Sequence, residues 1–166
     1  ACRPVFDPTG EYLGRRASLR DITHRKIREQ ELRTLQLAME NVAASIIITN
    51  REGNIEYVNA KFTEITGYTF AECVGRNPRF LKDPDKPSAA YRELWETITA
   101  GKSWRGIFKN VKKEGSFYWE SAIISPVHDE TGEIIRFVAV KEDITEHLKV
   151  EKELREREER FRRLVQ

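Results

Sequence analysis

Cysteine is nearly absent from this 166-residue chain, which has only Cys2 and Cys73. Two such residues build neither a disulfide framework nor a thiolate metal cluster. The histidines are also few, His24, His128 and His147, and they are scattered. No apolar run approaches the roughly 20 residues of a membrane-spanning helix, so direct membrane insertion by this segment is not expected. There is no Gly-rich phosphate loop, no nucleophile elbow and no paired acid–base constellation, which makes the segment itself non-enzymatic. Net charge is small as well. The 29 Lys and Arg against 27 Asp and Glu leave +2 with both signs interspersed, so no electrostatic footprint favours nucleic acid or anionic lipid. The expected setting is cytoplasmic, with a parent protein that is free to be membrane-anchored elsewhere.

Charge, by contrast, is abundant at 34%, and it has an address: residues 20–36 and 146–163 are dense in Arg, Lys and Glu. The stretch between them has ordinary globular make-up and is long enough for one core. The chain also repeats itself. Residues 4–33 align with 126–155 at an offset of 122 without a gap, and 14 of the 30 pairs are identical. They include Asp7/Asp129, Gly10/Gly132 and the triplets Asp21-Ile22-Thr23 and Asp143-Ile144-Thr145. That spacing is too long for a solenoid unit and matches a small domain.

Within the first copy, Tyr12–Ile22 follows an Asp-Pro-Thr-Gly turn and is predicted as the last strand of a hairpin. Beyond Asp21 the pattern turns helical. Leu32, Leu35, Met39 and Val42 fall on a coiled-coil seam, and Leu154, Arg157, Phe161 and Leu164 repeat it, with Arg157 the weak match. Between the charged helices, Ser45–Thr49 and Ile55–Asn59 form a predicted hairpin around Arg51-Glu52-Gly53-Asn54. Ala60–Thr66 and Thr69–Val74 read as short helices, 77–87 as irregular, and 88–100 as an amphipathic helix carrying Tyr91, Leu94, Trp95 and Ile98. Strands over Trp104–Lys112, Ser116–Val127 and Ile134–Lys141 complete the pattern. The fold class is α+β: a five-stranded antiparallel sheet with short helices on one face, flanked by coiled-coil-like helices. Such a fold leaves a pocket between the sheet and its longest helix.

In this order and spacing, a set of motifs resembles the PAS sensory domain. They are Ile55-Glu56-Tyr57-Val58-Asn59, Gly75 through Leu81, Leu94-Trp95, Trp104-Arg105-Gly106, Asn110 through Gly115, Ser125-Pro126-Val127 and the closing Asp143-Ile144-Thr145. The resemblance divides the chain into the closing hairpin of a preceding PAS domain (1–24), a linker helix (25–37), a complete PAS domain (38–147) and an outgoing linker helix (148–166). It implies a sensory and signal-relay module of a multidomain, bacterial-type signalling protein, such as a histidine kinase of a two-component system or a diguanylate cyclase. It also implies a homodimer through linker helices and PAS surfaces, working with neighbouring PAS and effector domains. The alternative is a cofactor-free module for dimerisation and relay. The hairpin over residues 1–20, without its own sheet, is expected to be disordered or to pair with an available sheet edge.

Three cofactors were weighed. Photochemical flavin (LOV) domains carry Gly-x-Asn-Cys-Arg-Phe-Leu-Gln; this chain aligns but has Pro78 for the cysteine and Lys82 for the glutamine, which excludes the covalent adduct. Glu120 and Lys141 replace two further LOV amides and weaken such contacts. Haem-binding members place a histidine on or near the long helix, and 88–100 has none, so haem is not expected. The chain is more similar to the FAD-binding, redox-sensing PAS subtype of nitrogen-fixation regulatory flavoproteins. That resemblance implies Trp95 and Asn110 at the flavin ring, and Asn77 and Arg79 at the ribityl chain and phosphate, with FAD or FMN as the cofactor. Pro78 departs here too, standing where that subtype has an acidic residue.

Plainer roles stand beside these. Trp95 on an inner helix face also reads as core, as do Trp104 and Trp119 in strands. Arg79 has surface partners available in Asp83 or Asp85. Asn110, if it points inward, is a buried amide that needs partners, which a ligand or an internal water would supply. Asp143 is placed to cap the outgoing helix, with Glu146 completing a capping box. His147 lacks the sequence surroundings of a phospho-acceptor.

Overall fold

The structure, a computed structural model, describes residues 2–17, 23–84 and 89–164. It divides into two units, 1–37 and 38–166, each described by itself.

In the first unit, β1 (Cys2–Phe6) and β2 (Tyr12–Ala17) pair antiparallel in a two-stranded sheet of their own. Within this chain the hairpin joins no other sheet among the described residues, and it closes on its own turn. Asp7 Oδ1 accepts from the Thr9 amide (2.9 Å), the Thr9 hydroxyl (2.7 Å) and the Glu11 amide (2.8 Å). These local bonds need no third strand. Of the predicted strand, residues 12–17 are strand, and residues 18–22, including Asp21 and Ile22 of the first triplet, lie outside the described residues. A helix, α1 (Thr23–Asn41), runs on toward the second unit.

The second unit contains β3 (Ser45–Asn50), β4 (Ile55–Val58), α2 (Ala60–Thr66), α3 (Phe70–Cys73), a 3-10 turn over Pro78–Leu81, α4 (Ala89–Thr99), β5 (Trp104–Val111), β6 (Phe117–His128), β7 (Ile134–Asp143) and α5 (Thr145–Leu164). The strands form one antiparallel sheet in the order β4-β3-β7-β6-β5. The stretch expected to be irregular thus holds the 3-10 turn, opened by Asn77, whose Oδ1 accepts the Arg79 amide (3.1 Å). Asp85, Pro87 and Ser88 lie outside the described residues.

The β6–β7 turn repeats the β1–β2 turn bond for bond. Asp129 Oδ1 accepts from the Thr131 amide (2.9 Å), the Thr131 hydroxyl (2.6 Å) and the Glu133 amide (3.0 Å). The register irregularity recurs as well, between Val5 and Phe6 in one hairpin and between Val127 and His128 in the other. The offset of 122 therefore marks one hairpin geometry built twice.

Alternation along the strands sends Ile47, Phe108, Ala122, Ile124, Phe137 and Ala139 to one face of the sheet, where all are buried. Against that face α4 packs Leu94 and Ile98, which are buried, with Tyr91 and Trp95 partly so. Their i, i+3, i+4, i+7 spacing puts the four side chains on one stripe.

Asn59, expected at the end of a strand, instead caps α2. Its Oδ1 accepts the Phe62 amide (3.1 Å) and the Ile46 amide (2.9 Å), while its Nδ2 donates to the carbonyls of Met39 (2.9 Å) and Ala44 (3.0 Å). A 1% exposed amide with all four positions filled ties the end of α1, β3 and α2 together.

Candidate functional site

Between the inner sheet face and α4 lies a cavity of about 90 Å³, several times the space one buried water needs. The sheet supplies Ile47, Ile124 and Ala139; α4 supplies Leu94, Trp95 and Ile98. All four residues singled out in the sequence line this cavity: Asn77, Arg79, Trp95 and Asn110. Of the lining residues Arg79 is the exposed one, which sets the mouth at the 3-10 turn. Asn110 and Lys141, 3% and 7% exposed, are buried polar residues of its lining.

Trp95 leans on the β3–β4 turn. Gly53 sits there with φ +85, and a Cβ on it would lie 2.8 Å from the Trp95 ring and 2.9 Å from Asn77 Nδ2. Only glycine serves both the left-handed backbone and the close approach. On its other side Trp95 meets Phe137 edge-on, with centroids 5.8 Å apart. Trp104 has the packing role expected of it: its ring stacks on Phe108 (4.9 Å) and lies over Gly106, where a Cβ would be 2.2 Å away. That contact accounts for the Trp104-x-Gly106 spacing.

Asn110 does point inward, and Glu120 on the neighbouring strand is a partner of its amide. Its Nδ2 donates to Glu120 Oε1 at 2.7 Å, and Lys141 Nζ donates to the same oxygen at 2.5 Å. The two departures from the LOV amides are thus one buried ion pair, with side chains 4% and 8% exposed. The sequence reading treated them as separate losses. Close by on β6, the Tyr118 hydroxyl is buried next to Asn110, its cross-strand neighbour, and Glu120. Burial, and then the charge of Glu120, push that phenol upward from its ordinary pKa. At the cavity mouth Asp83, offered above as a surface partner for Arg79, is buried and pairs with Lys109 at 3.2 Å.

The strand ends behind this cluster lead to the outgoing helix. The Trp119 amide donates to Thr145 Oγ1 (2.8 Å), and the Ile144 amide donates to the Trp119 carbonyl (2.9 Å). Asp143 Oδ1 accepts the Thr145 amide (3.0 Å) and hydroxyl (2.5 Å), so it does bond the helix start. Glu146 does not complete a box in the described hydrogen bonds; its carboxylate lies 3.5 Å from Lys149 Nζ. The comparable reach-back occurs at α3, where Glu72 Oε2 accepts from the Thr69 amide (2.9 Å) and hydroxyl (3.0 Å). Among the described residues no group of His, Cys, Asp or Glu is arranged to hold a metal ion. Among the described residues no helix is long and apolar enough to cross a membrane.

A family pattern for the PAS domain matches residues 43–146. The chain is 32% identical over 140 residues to the bacterioopsin transcriptional activator of Halobacterium salinarum, covering 82% of this chain and 21% of that protein. It is 32% identical over 117 residues to the nitrogen fixation regulatory protein of Klebsiella oxytoca, covering 70% and 24%. Among solved structures, the light state of the blue-light photoreceptor Aureochrome1 LOV superposes with a TM-score of 0.59 at 26% identity, covering 70% of this chain and 91% of that one. The chain thus spans between a fifth and a quarter of the length of these two curated relatives.

Proposed function

The chain belongs to the PAS domain family, and from that premise we propose that it is a sensory relay module that holds a flavin, FAD or FMN, between its sheet and α4. The observation that carries this reading is the convergence of Asn77, Arg79, Trp95 and Asn110 on one cavity. The donor set suits the group: apolar walls for a flat ring, amide and ammonium donors among them, and an exposed guanidinium for phosphate. A bound flavin would supply redox chemistry, its ring changing charge and protonation with its electron count. Asn110 and Lys141 would face that ring, Trp95 and Leu94 would exclude water, and Arg79 would hold the phosphate. Movement at Lys141 or Glu120 would pass to Trp119 and Asp143, and so to the first turn of α5.

By this reading 1–24 is the closing hairpin of a preceding PAS unit, supported by the duplicated Asp-x-Thr-Gly geometry, and 25–37 and 148–166 are linker helices. Leu32, Leu35, Leu154, Phe161 and Leu164 are exposed on them, as a dimeric coiled coil requires. The outgoing helix would lead to an effector such as a histidine kinase or a diguanylate cyclase.

A second reading, cofactor-free dimerisation and relay, draws on one observation: Asn110 already has Glu120 as its partner and Trp95 is already seated on Gly53. The absorption spectrum separates the two. Gently purified protein, or protein mixed with FAD and passed through a desalting column, is expected to carry the near-ultraviolet and blue bands of oxidised flavin. Trp95→Phe and Asn110→Ala are expected to shift those bands or weaken retention. A colourless preparation that retains no FAD would leave the cofactor-free relay as the function.

A further inference from the structure

Glu120 and Lys141 come from neighbouring strands. Glu120 pairs with Phe108 across β5–β6, and Lys141 with Ala122 across β6–β7. Lys141 lines the cavity, whereas Glu120 is not among the lining residues and so lies behind it. The ammonium therefore stands between the carboxylate and whatever occupies the cavity. Asn110 Nδ2 donates to the same carboxylate oxygen, and the Phe108 ring lies 5.5 Å from the ammonium.

Stability gives little reason for this arrangement. Desolvating an ion pair costs several kcal/mol per ion, and well-packed apolar side chains of similar volume often do as well or better. At the end of a ligand cavity the same pair has a use. Buried charges are screened far less than surface ones, so an ammonium with its counter-charge one step further back presents a fixed, oriented field to a ligand.

Resting on the flavin reading above, we propose that the Glu120–Lys141 pair sets the reduction potential of the ring, with Lys141 favouring the electron-rich form and Glu120 offsetting it. Reduction adds negative charge to a flavin, and nearby protein charge tunes that step. The net effect is that of a dipole with its positive end toward the cavity.

The test uses the 166-residue chain loaded with FAD. Binding is followed by quenching of flavin fluorescence, and the midpoint potential is measured against a reference dye during reduction by dithionite. Glu120→Gln is expected to move the potential in the positive direction and Lys141→Gln in the negative direction. The double variant should fall between the two. Binding retained in every variant with coincident potentials, or with both single shifts of one sign, overturns the inference and leaves the flavin reading standing. A parent chain that takes up no FAD overturns both. Should a single substitution abolish the native circular dichroism, the exchanged pair Glu120→Lys/Lys141→Glu keeps both charges and reverses the dipole. Its potential is expected below the parent's, and a value equal to the parent's overturns the inference.

Discussion

The ring of Trp95, on α4, closes over Gly53, 42 residues earlier in the β3–β4 turn, so tightly that a Cβ at residue 53 would lie 2.8 Å from it. The turn and the helix thereby fix the width of the cavity between them.

Gly53→Ala is accordingly expected to destabilise the fold by about 2–4 kcal/mol, summing the cost of a left-handed non-glycine residue and of overpacking. Urea denaturation measures it. Adding Trp95→Phe should recover the overpacking part and leave the backbone part. Equal stability of Gly53→Ala and the parent would show that the indole yields freely.

Asn59→Ala removes four hydrogen bonds that join α1, β3 and α2. Loss of an N-cap together with buried groups left unsatisfied predicts roughly 2–4 kcal/mol. Hydrogen exchange should speed up at the Ile46 and Phe62 amides first. Protection unchanged at both would remove the proposed role of this side chain.

Acid should weaken the fold through Glu72. Its carboxylate bonds Lys113 and the Thr69 amide and hydroxyl, which hold it down at about 2 from an ordinary 4.5. Between those values the unfolded chain binds more protons than the folded one, so this contribution is complete above about pH 4.5 and is lost as pH falls through about 2. Glu40, which accepts from the Tyr57 hydroxyl at 2.5 Å and from the Ala60 amide at 2.9 Å, acts in the same direction. Tyr57 acts in the opposite one. Burial and then Glu40 push it up to about 12 from an ordinary 10, so its share is complete below about pH 10 and is lost as pH rises through about 12. Urea midpoints of the parent and Glu72→Gln should differ at neutral pH and converge toward pH 2. A constant gap would exclude Glu72 as a source of the acid limb.

Thr145→Val should loosen the junction, because it removes the acceptor of the Trp119 amide and the donor to Asp143. About 1 kcal/mol of stability is at stake, and exchange at the Trp119 amide should accelerate, whereas Thr145→Ser should behave as the parent does. Identical exchange in all three proteins would separate the strand end from the helix start.

Much of this fold was legible because its signals are local. Ala60–Thr66 matches to the residue, and the other strands and helices between Ser45 and Asp143 to within a residue or two at their ends, since period-2 and period-3.6 patterns depend on near neighbours. The outgoing helix starts at Thr145 rather than at 148. Asn59 was mistaken for strand, although an asparagine directly before a helical run is an N-cap signal that was there to be used. The cavity residues were found through family motifs, and the cavity brings them together. Their hydrogen-bond partners were not found. Asn110 bonds a residue ten positions away and Lys141 one 21 positions away, and only the β5–β6–β7 register sets those side chains face to face.

The sequence by itself determined the order of elements, the Asp-x-Thr-Gly hairpin built twice and the absence of a catalytic motif. Each depends on covalent neighbours and short-range hydrogen bonds. Tertiary structure alone decided that Trp95 rests on Gly53, that Lys109 takes Asp83, and that Glu120 and Lys141 neutralise one another beneath the cavity. Those pairings require strand register and helix packing to be settled first. Glu120 and Lys141, two unrelated charges when read along the chain, become one buried pair once the sheet is assembled.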